Sequence, residues 1–192
     1  MRSMILAIGL LCCAGAARAE VTDRSAAGFE VVHTFETTKP PAIVWAGVLR
    51  PAMWWSKDHT WSGAAENLSM DPDRGCFCET LPKGEVRHLS IVFKDDSTHQ
   101  LRLEGALGPL VFTGATGHLG FVVTPTASGS KVTLTYDVGG YAKGGLAETW
   151  AGPVDAVLGE QMARLKALLD PSPARRDDSS PGGGIDRFDT KR

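Results

Sequence analysis

The chain has 192 residues, with 20 Lys and Arg against 22 Asp and Glu, for a formal net charge of −2. There is no basic excess, which argues against nucleic-acid binding. Beyond its first residues the chain holds no apolar stretch of the roughly 20 residues that a spanning helix needs.

The chain opens on a targeting pattern rather than on fold. Arg2 precedes the apolar run MILAIGLLCCAGA, and Ala17-Arg18-Ala19 follows. A charged start, a short apolar core and an Ala-x-Ala site make the pattern of a secretory signal peptide. Residues 1–19 are therefore expected to be cleaved after Ala19, leaving a short N-terminal segment, 20–27, and a periplasmic or secreted protein. Residues 171–192 are rich in Pro, Gly, Ser and charges of both signs. Such a segment cannot bury enough apolar surface to offset its chain entropy and is expected to be a disordered tail. About 140 residues lie between, one domain's worth.

FEVVHTF (29–35) is rich in β-branched and aromatic residues and predicts a first strand. A helix follows, with Pro40 and Pro41 in its first turn, Ile43, Val44, Val48 and Leu49 as an apolar stripe around Trp45, and Pro51 as its stop. Next comes MWWSKDHTWSG (53–63), which holds three of the five tryptophans. Six strands are predicted after it, at 67–70, 76–81, 86–93, 99–106, 117–125 and 131–139, separated by turn-forming residues. Leu101 and Leu103 alternate with Arg102 and Glu104, and Val132, Leu134, Tyr136 and Val138 with Lys131, Thr133, Thr135 and Asp137. That period marks an antiparallel sheet with one buried and one wet face. The last element is a helix over about 145–170, with Leu146, Trp150, Val154, Val157, Leu158, Met162, Leu165, Leu168 and Leu169 at helical spacing. Pro153 lies inside it and is expected to kink it or split off its first turns. The whole is an α+β fold, one curved antiparallel sheet of about seven strands covered by the long final helix.

This element order, together with HTWSG, NLSMDPDRGCFCE, LEGALGPL and TLTYDVGGYAKGGL, resembles the START-like (SRPBCC) superfamily over residues 28–170. It is most similar to the exported branch near the polyketide-cyclase-like and chaperone-ATPase-activator-like members. The resemblance implies a helix-grip fold, in which the sheet wraps the C-terminal helix and leaves a cavity between them. It also implies binding of lipids, sterols, hormones, polyketides or other apolar small molecules, with some members enzymes.

Glu79 shares a strand face with Phe77 and Leu81, so its carboxylate is expected to point inward, as a general acid or a polar ligand anchor, unless a shifted register exposes it or a structural pair holds it. His59, beside Asp58 in the Trp-rich loop, suits ligand binding or proton shuttling, or a bond within its own loop. His88 is expected to face outward, with Leu89, Ile91 and Phe93 on the core face. Cys76 and Cys78 lie two apart on one strand face, at the edge of disulfide geometry in a regular strand, so packed thiols are favoured over reactive ones or a bond formed by local distortion. Cys76, Cys78, His59 and His88 match no standard metal framework, and neither a metal nor a cofactor is expected. GGYAKGG (139–145) lacks phosphate-loop and dinucleotide spacing and suggests a mobile loop with Tyr141 as an aromatic gate, or a plain helix start. GALGPL is expected to be a structural turn. Asp155 is marginal to the cavity.

Two functions follow. The leading one is an exported binding protein for an apolar or aromatic small molecule, with ring contacts from Trp54, Trp55, Trp61, Tyr141 and Trp150 and polar anchors from His59 and Glu79. The alternative is a metal-free cyclase- or dehydratase-type enzyme in which His59 and Glu79 form a proton-transfer pair, which requires them to converge within about 3 Å of each other or of a common substrate atom. A surface interaction module would instead show a large exposed aromatic patch.

Overall fold

The computed structural model describes residues 19–171. The expectations for the leader before residue 19 and for the tail beyond residue 171 lie outside the described residues. The chain runs β1 (Ala19–Ser25), β2 (Gly28–Thr37), α1 (Pro41–Val48), β3 (Leu68–Asp71), β4 (Cys76–Leu81), β5 (Gly84–Asp95), β6 (Gln100–Glu104), β7 (Gly114–Thr126), β8 (Gly129–Tyr141) and α2 (Leu146–Leu169). The strands form one antiparallel sheet in the order β1-β2-β8-β7-β6-β5-β4-β3. Only the step from β2 to β8 leaves sequence order, because β2 closes on the last strand while the others form a meander. The sheet has eight strands where about seven were expected. The extra one is β1, drawn from a stretch expected only as a segment. It pairs β2 along one edge, and its mostly polar sequence carries no alternation to announce it.

Phe29, Val31, His33 and Phe35 of β2 and Val132, Leu134, Tyr136 and Val138 of β8 face inward and are buried. Period-two alternation places them there, and α2 covers them. No helix among the described residues is long and apolar enough to cross a membrane. α2 runs unbroken from Leu146 to Leu169 with Pro153 inside it. The proline removes one amide from the helical ladder but does not split the helix. The apolar stripe divides along its length. Leu158, Met162, Leu165 and Leu169 are buried, whereas Trp150 and Val154 are only partly buried against the core. Leu168 points outward.

α1 closes the far end of the groove. Its Val44, Trp45 and Val48 are buried, while Ile43, expected in the stripe, is exposed. Gly47 lies against α2, where a Cβ would make ordinary contact with the Leu169 and Leu165 side chains, at 3.4 Å and 3.7 Å.

Two bulges in β5 decide which side chains reach the interior. Phe77 pairs Leu89, but the next residue, Cys78, pairs Arg87, so His88 is an extra residue in the strand. A bulged strand presents two neighbouring residues to one partner, and both His88 and Leu89 are buried. His88 therefore faces inward, contrary to simple alternation. The second bulge inserts Val92, so that Ile91 pairs Leu103 but Phe93 pairs Arg102. Phe93 thus lands on the outer face, 48% exposed, rather than in the core.

Candidate functional site

A cavity of about 310 Å³ lies between the N-terminal half of α2, the Trp-rich loop and the segment 107–109. Trp150, Pro153, Val154, Val157 and Leu158 of α2 form one wall. Trp55 and Trp61, with the shorter Asp58, His59 and Thr60, form the second. Leu107, Gly108 and Pro109 form the third, so GALGPL is a cavity wall as well as a turn. From the sheet, His88 reaches the lining through its bulge.

The Trp-rich loop is held from behind by buried polar side chains. Glu79, 1% exposed, accepts hydrogen bonds from the amides of Trp61, at 3.1 Å, and of Ser62. Gln161 of α2, fully buried, accepts one from the Ser56 amide at 2.7 Å. The Trp55 indole donates to the His59 carbonyl at 3.0 Å. The third wall is pinned in the same way: the Tyr136 hydroxyl donates to the Gly105 carbonyl at 3.0 Å and accepts from the Leu107 amide at 2.9 Å. Burial pushes the Tyr136 phenol up to about 12.

Glu79 points inward, but it is engaged by the loop and by His88, whose Nε2 lies 2.9 Å from its Oε2. Burial alone would raise its pKa. Hydrogen bonds from Ser62, the Trp61 amide and His88 outweigh that and hold the carboxyl below its ordinary 4.5. It is an ionised anchor, not a general acid. The His88 imidazole is itself lowered below its ordinary 6.5, because burial outweighs the attraction of Glu79. His59 sits on the rim with its Nε2 3.0 Å from Glu160 on α2. His59 and Glu79 are therefore not paired with each other; each has a different partner.

The tryptophans fall into three environments. Trp54, expected in the binding wall, is a core residue: it is 3% exposed, donates to the Gly47 carbonyl at 2.9 Å and stacks edge-on with Phe121. Trp55 serves both core and cavity, its ring centroid 5.3 Å from that of Phe77. Trp61, 45% exposed, stands at the mouth edge-on to Phe112, with centroids 5.8 Å apart. Tyr141 does not gate the cavity. It ends β8, pairs Gly114 and is 71% exposed, away from the lining residues. Gly145, which caps α2 with a φ of 93°, uses a backbone freedom that other residues lack, and GGYAKGG is the end of β8 followed by a short turn into α2.

Cys76 and Cys78, expected as packed thiols, form a disulfide. Their Cα atoms are 5.4 Å apart, closer than in a regular strand and within disulfide range. Among the described residues no group of three or more His, Cys, Asp or Glu is placed to hold a metal ion. Three functional or structural polar residues carried no signal in the sequence: His88 in the lining, Gln161 beneath the loop and His33, buried under α2 with its Nε2 2.9 Å from Asp155 Oδ1. Asp155 is thus turned to the sheet and not to the cavity. His33 fits because α2 carries Gly159 opposite it, where a Cβ would approach the ring to 2.9 Å.

No protein-family model matches the chain, and no curated protein sequence matches it. Solved structures do. CalU16 from Micromonospora echinospora superposes with a TM-score of 0.51 at 12% identity, covering 82% of this chain and 85% of that one. EF2215 from Enterococcus faecalis gives a TM-score of 0.51 at 12% identity over 82% of this chain and 80% of that one. A protein from Rhizobium leguminosarum gives 0.50 at 14% identity over 82% and 99%. At such identities the likeness is one of fold: the chain has the helix-grip architecture that the START-like resemblance implies.

Proposed function

We propose that the protein is an exported binding protein that holds an apolar or aromatic small molecule between the sheet and the N-terminal half of α2. The observation that carries this is the cavity wall itself. Three indoles, Trp55, Trp61 and Trp150, and the aliphatic Val154, Val157, Leu158 and Leu107 surround a few polar groups. Pockets for small organic molecules are built in this way and span roughly 300–1,000 Å³. Export is supported by the leader-like first 19 residues and by the Cys76–Cys78 bond, since disulfides persist in oxidising compartments.

The test is native mass spectrometry of full-length protein expressed in a bacterial host and recovered from the periplasm, followed by displacement of a solvatochromic apolar dye. The expected result is a processed chain that carries or takes up one apolar molecule, with uptake abolished by Val157→Trp, which fills the cavity. A chain that stays in the cytoplasm overturns export. A processed chain with no displaceable dye site overturns the binding role.

A further inference from the structure

We propose that the Glu79–His88 pair is the cavity's hydrogen-bond acceptor, and that the ligand it selects is an aromatic molecule carrying a hydroxyl group. The proposal rests on the binding reading above and adds the chemical class.

The argument starts at Glu79. Its two oxygens face the amides of Trp61 and Ser62 and the Nε2 of His88. Held ionised by these donors, it accepts only, so the hydrogen between it and His88 sits on Nε2. That fixes the tautomer: the lone pair is on Nδ1. Among the described residues Nδ1 has no hydrogen-bond partner. Yet it is not one of the fully buried polar atoms that make no hydrogen bond. Nδ1 is thus neither sealed nor satisfied, and its ring belongs to the cavity lining. The ring is set by the bulge at one side and by Phe77 at the other, with centroids 5.0 Å apart and planes at 32°. The result is an oriented acceptor of fixed tautomer, the one polar side chain that the sheet brings to the lining.

The remaining polar groups of the lining, Asp58, His59 and Thr60, lie together on the Trp-rich loop, where His59 faces Glu160 and the Thr60 hydroxyl donates to the Lys57 carbonyl. An aromatic ring among Trp55, Trp61 and Trp150 with one hydroxyl donating to His88 Nδ1 satisfies the wall and the acceptor together. A site built to accept a hydroxyl proton rejects the analogue that lacks it, because its polar atom is then left dry and unpaired.

The experiment uses 2-naphthol and its near-isostere 2-methylnaphthalene, with affinities from equilibrium dialysis against the full chain. The expected result is about tenfold tighter binding of 2-naphthol, the size of one net hydrogen bond. His88→Gln keeps a donor to Glu79 but removes the acceptor from the Nδ1 position. It should bring the two probes to within about twofold of each other. A second measurement needs no variant: the nitrogen-15 resonance of His88 Nδ1 moves on addition of 2-naphthol and stays in place with 2-methylnaphthalene. Equal binding of both probes by the unmodified protein, or an Nδ1 resonance indifferent to 2-naphthol, overturns the proposal and leaves the binding reading intact. Failure of both probes to bind overturns the two together.

Discussion

The two ends of the groove between sheet and α2 share one helix and one sheet face, yet one is solid and the other hollow. At the C-terminal end Met162, Leu165 and Leu169 are buried, and α1 with Trp54 completes the packing. At the N-terminal end no second helix among the described residues covers α2, and Trp150, Val154, Val157 and Leu158 line a cavity instead. The apolar stripe is continuous along the helix, so hydrophobicity does not set the difference. What sets it is the cover: α1, packed with buried Val44, Trp45 and Val48, on one side, and two loops pinned at a distance by Glu79, Gln161 and Tyr136 on the other.

The largest effects belong to the solid end. Leu165→Ala should cost about 2–5 kcal/mol, the range for a truncated core leucine, read from urea unfolding. Val157→Ala should cost well under about 1 kcal/mol, because that side chain already borders open space. Equal losses at the two sites would erase the distinction between the ends. Next comes the pinning of the loop. Glu79→Ala leaves the Trp61 and Ser62 amides without their acceptor. We expect a loss of about 2–3 kcal/mol and faster hydrogen exchange at those two amides, with the closed end unaffected. The Cys76–Cys78 bond closes a loop of only three residues, so chain entropy gives it about 1.6 kcal/mol. Reductant should lower the unfolding free energy read from urea titration by that amount and no more.

The smallest effect is that of pH. His88 has a lowered pKa in the folded protein, so the unfolded chain binds its proton first. Its contribution is complete above about 6.5 and is lost as pH falls from there through the folded value. Glu79, also lowered, adds a second loss below about 4.5, on the way down to its own folded value. His88→Gln should remove the upper step and keep the lower one.

Much of the fold was legible because alternation and helical spacing are local. β6 and β8 show their buried faces in the letters of Leu101 and Leu103 or Val132 to Val138. What escaped depends on events that alternation cannot register. A bulge adds one residue and reverses the faces after it, which put His88 inside and Phe93 outside. A local contraction of β4 brings Cys76 and Cys78 to 5.4 Å between Cα atoms, which the even spacing of a regular strand does not announce. Glu79 could be placed inside from Phe77 and Leu81, but its partners are distant in sequence, so its role as an anchor was invisible. Gln161 and His33 gave no signal either, since a lone polar residue on an apolar face reads as noise until its partner is known. The Trp cluster marked the right neighbourhood without separating Trp54, a core residue, from Trp55 and Trp61, which meet the cavity.

The two pinned walls also bear on the thermodynamics of capture. A loop that must order itself around a ligand gives up roughly 1–2 kcal/mol of backbone entropy for each residue fixed. Here the backbone at Ser56, Trp61, Ser62, Gly105 and Leu107 is already tied to buried side chains from the sheet and α2. Folding has taken that entropy before any guest arrives. Association then draws on little more than the guest's own freedom, and the free and occupied chains share nearly one shape.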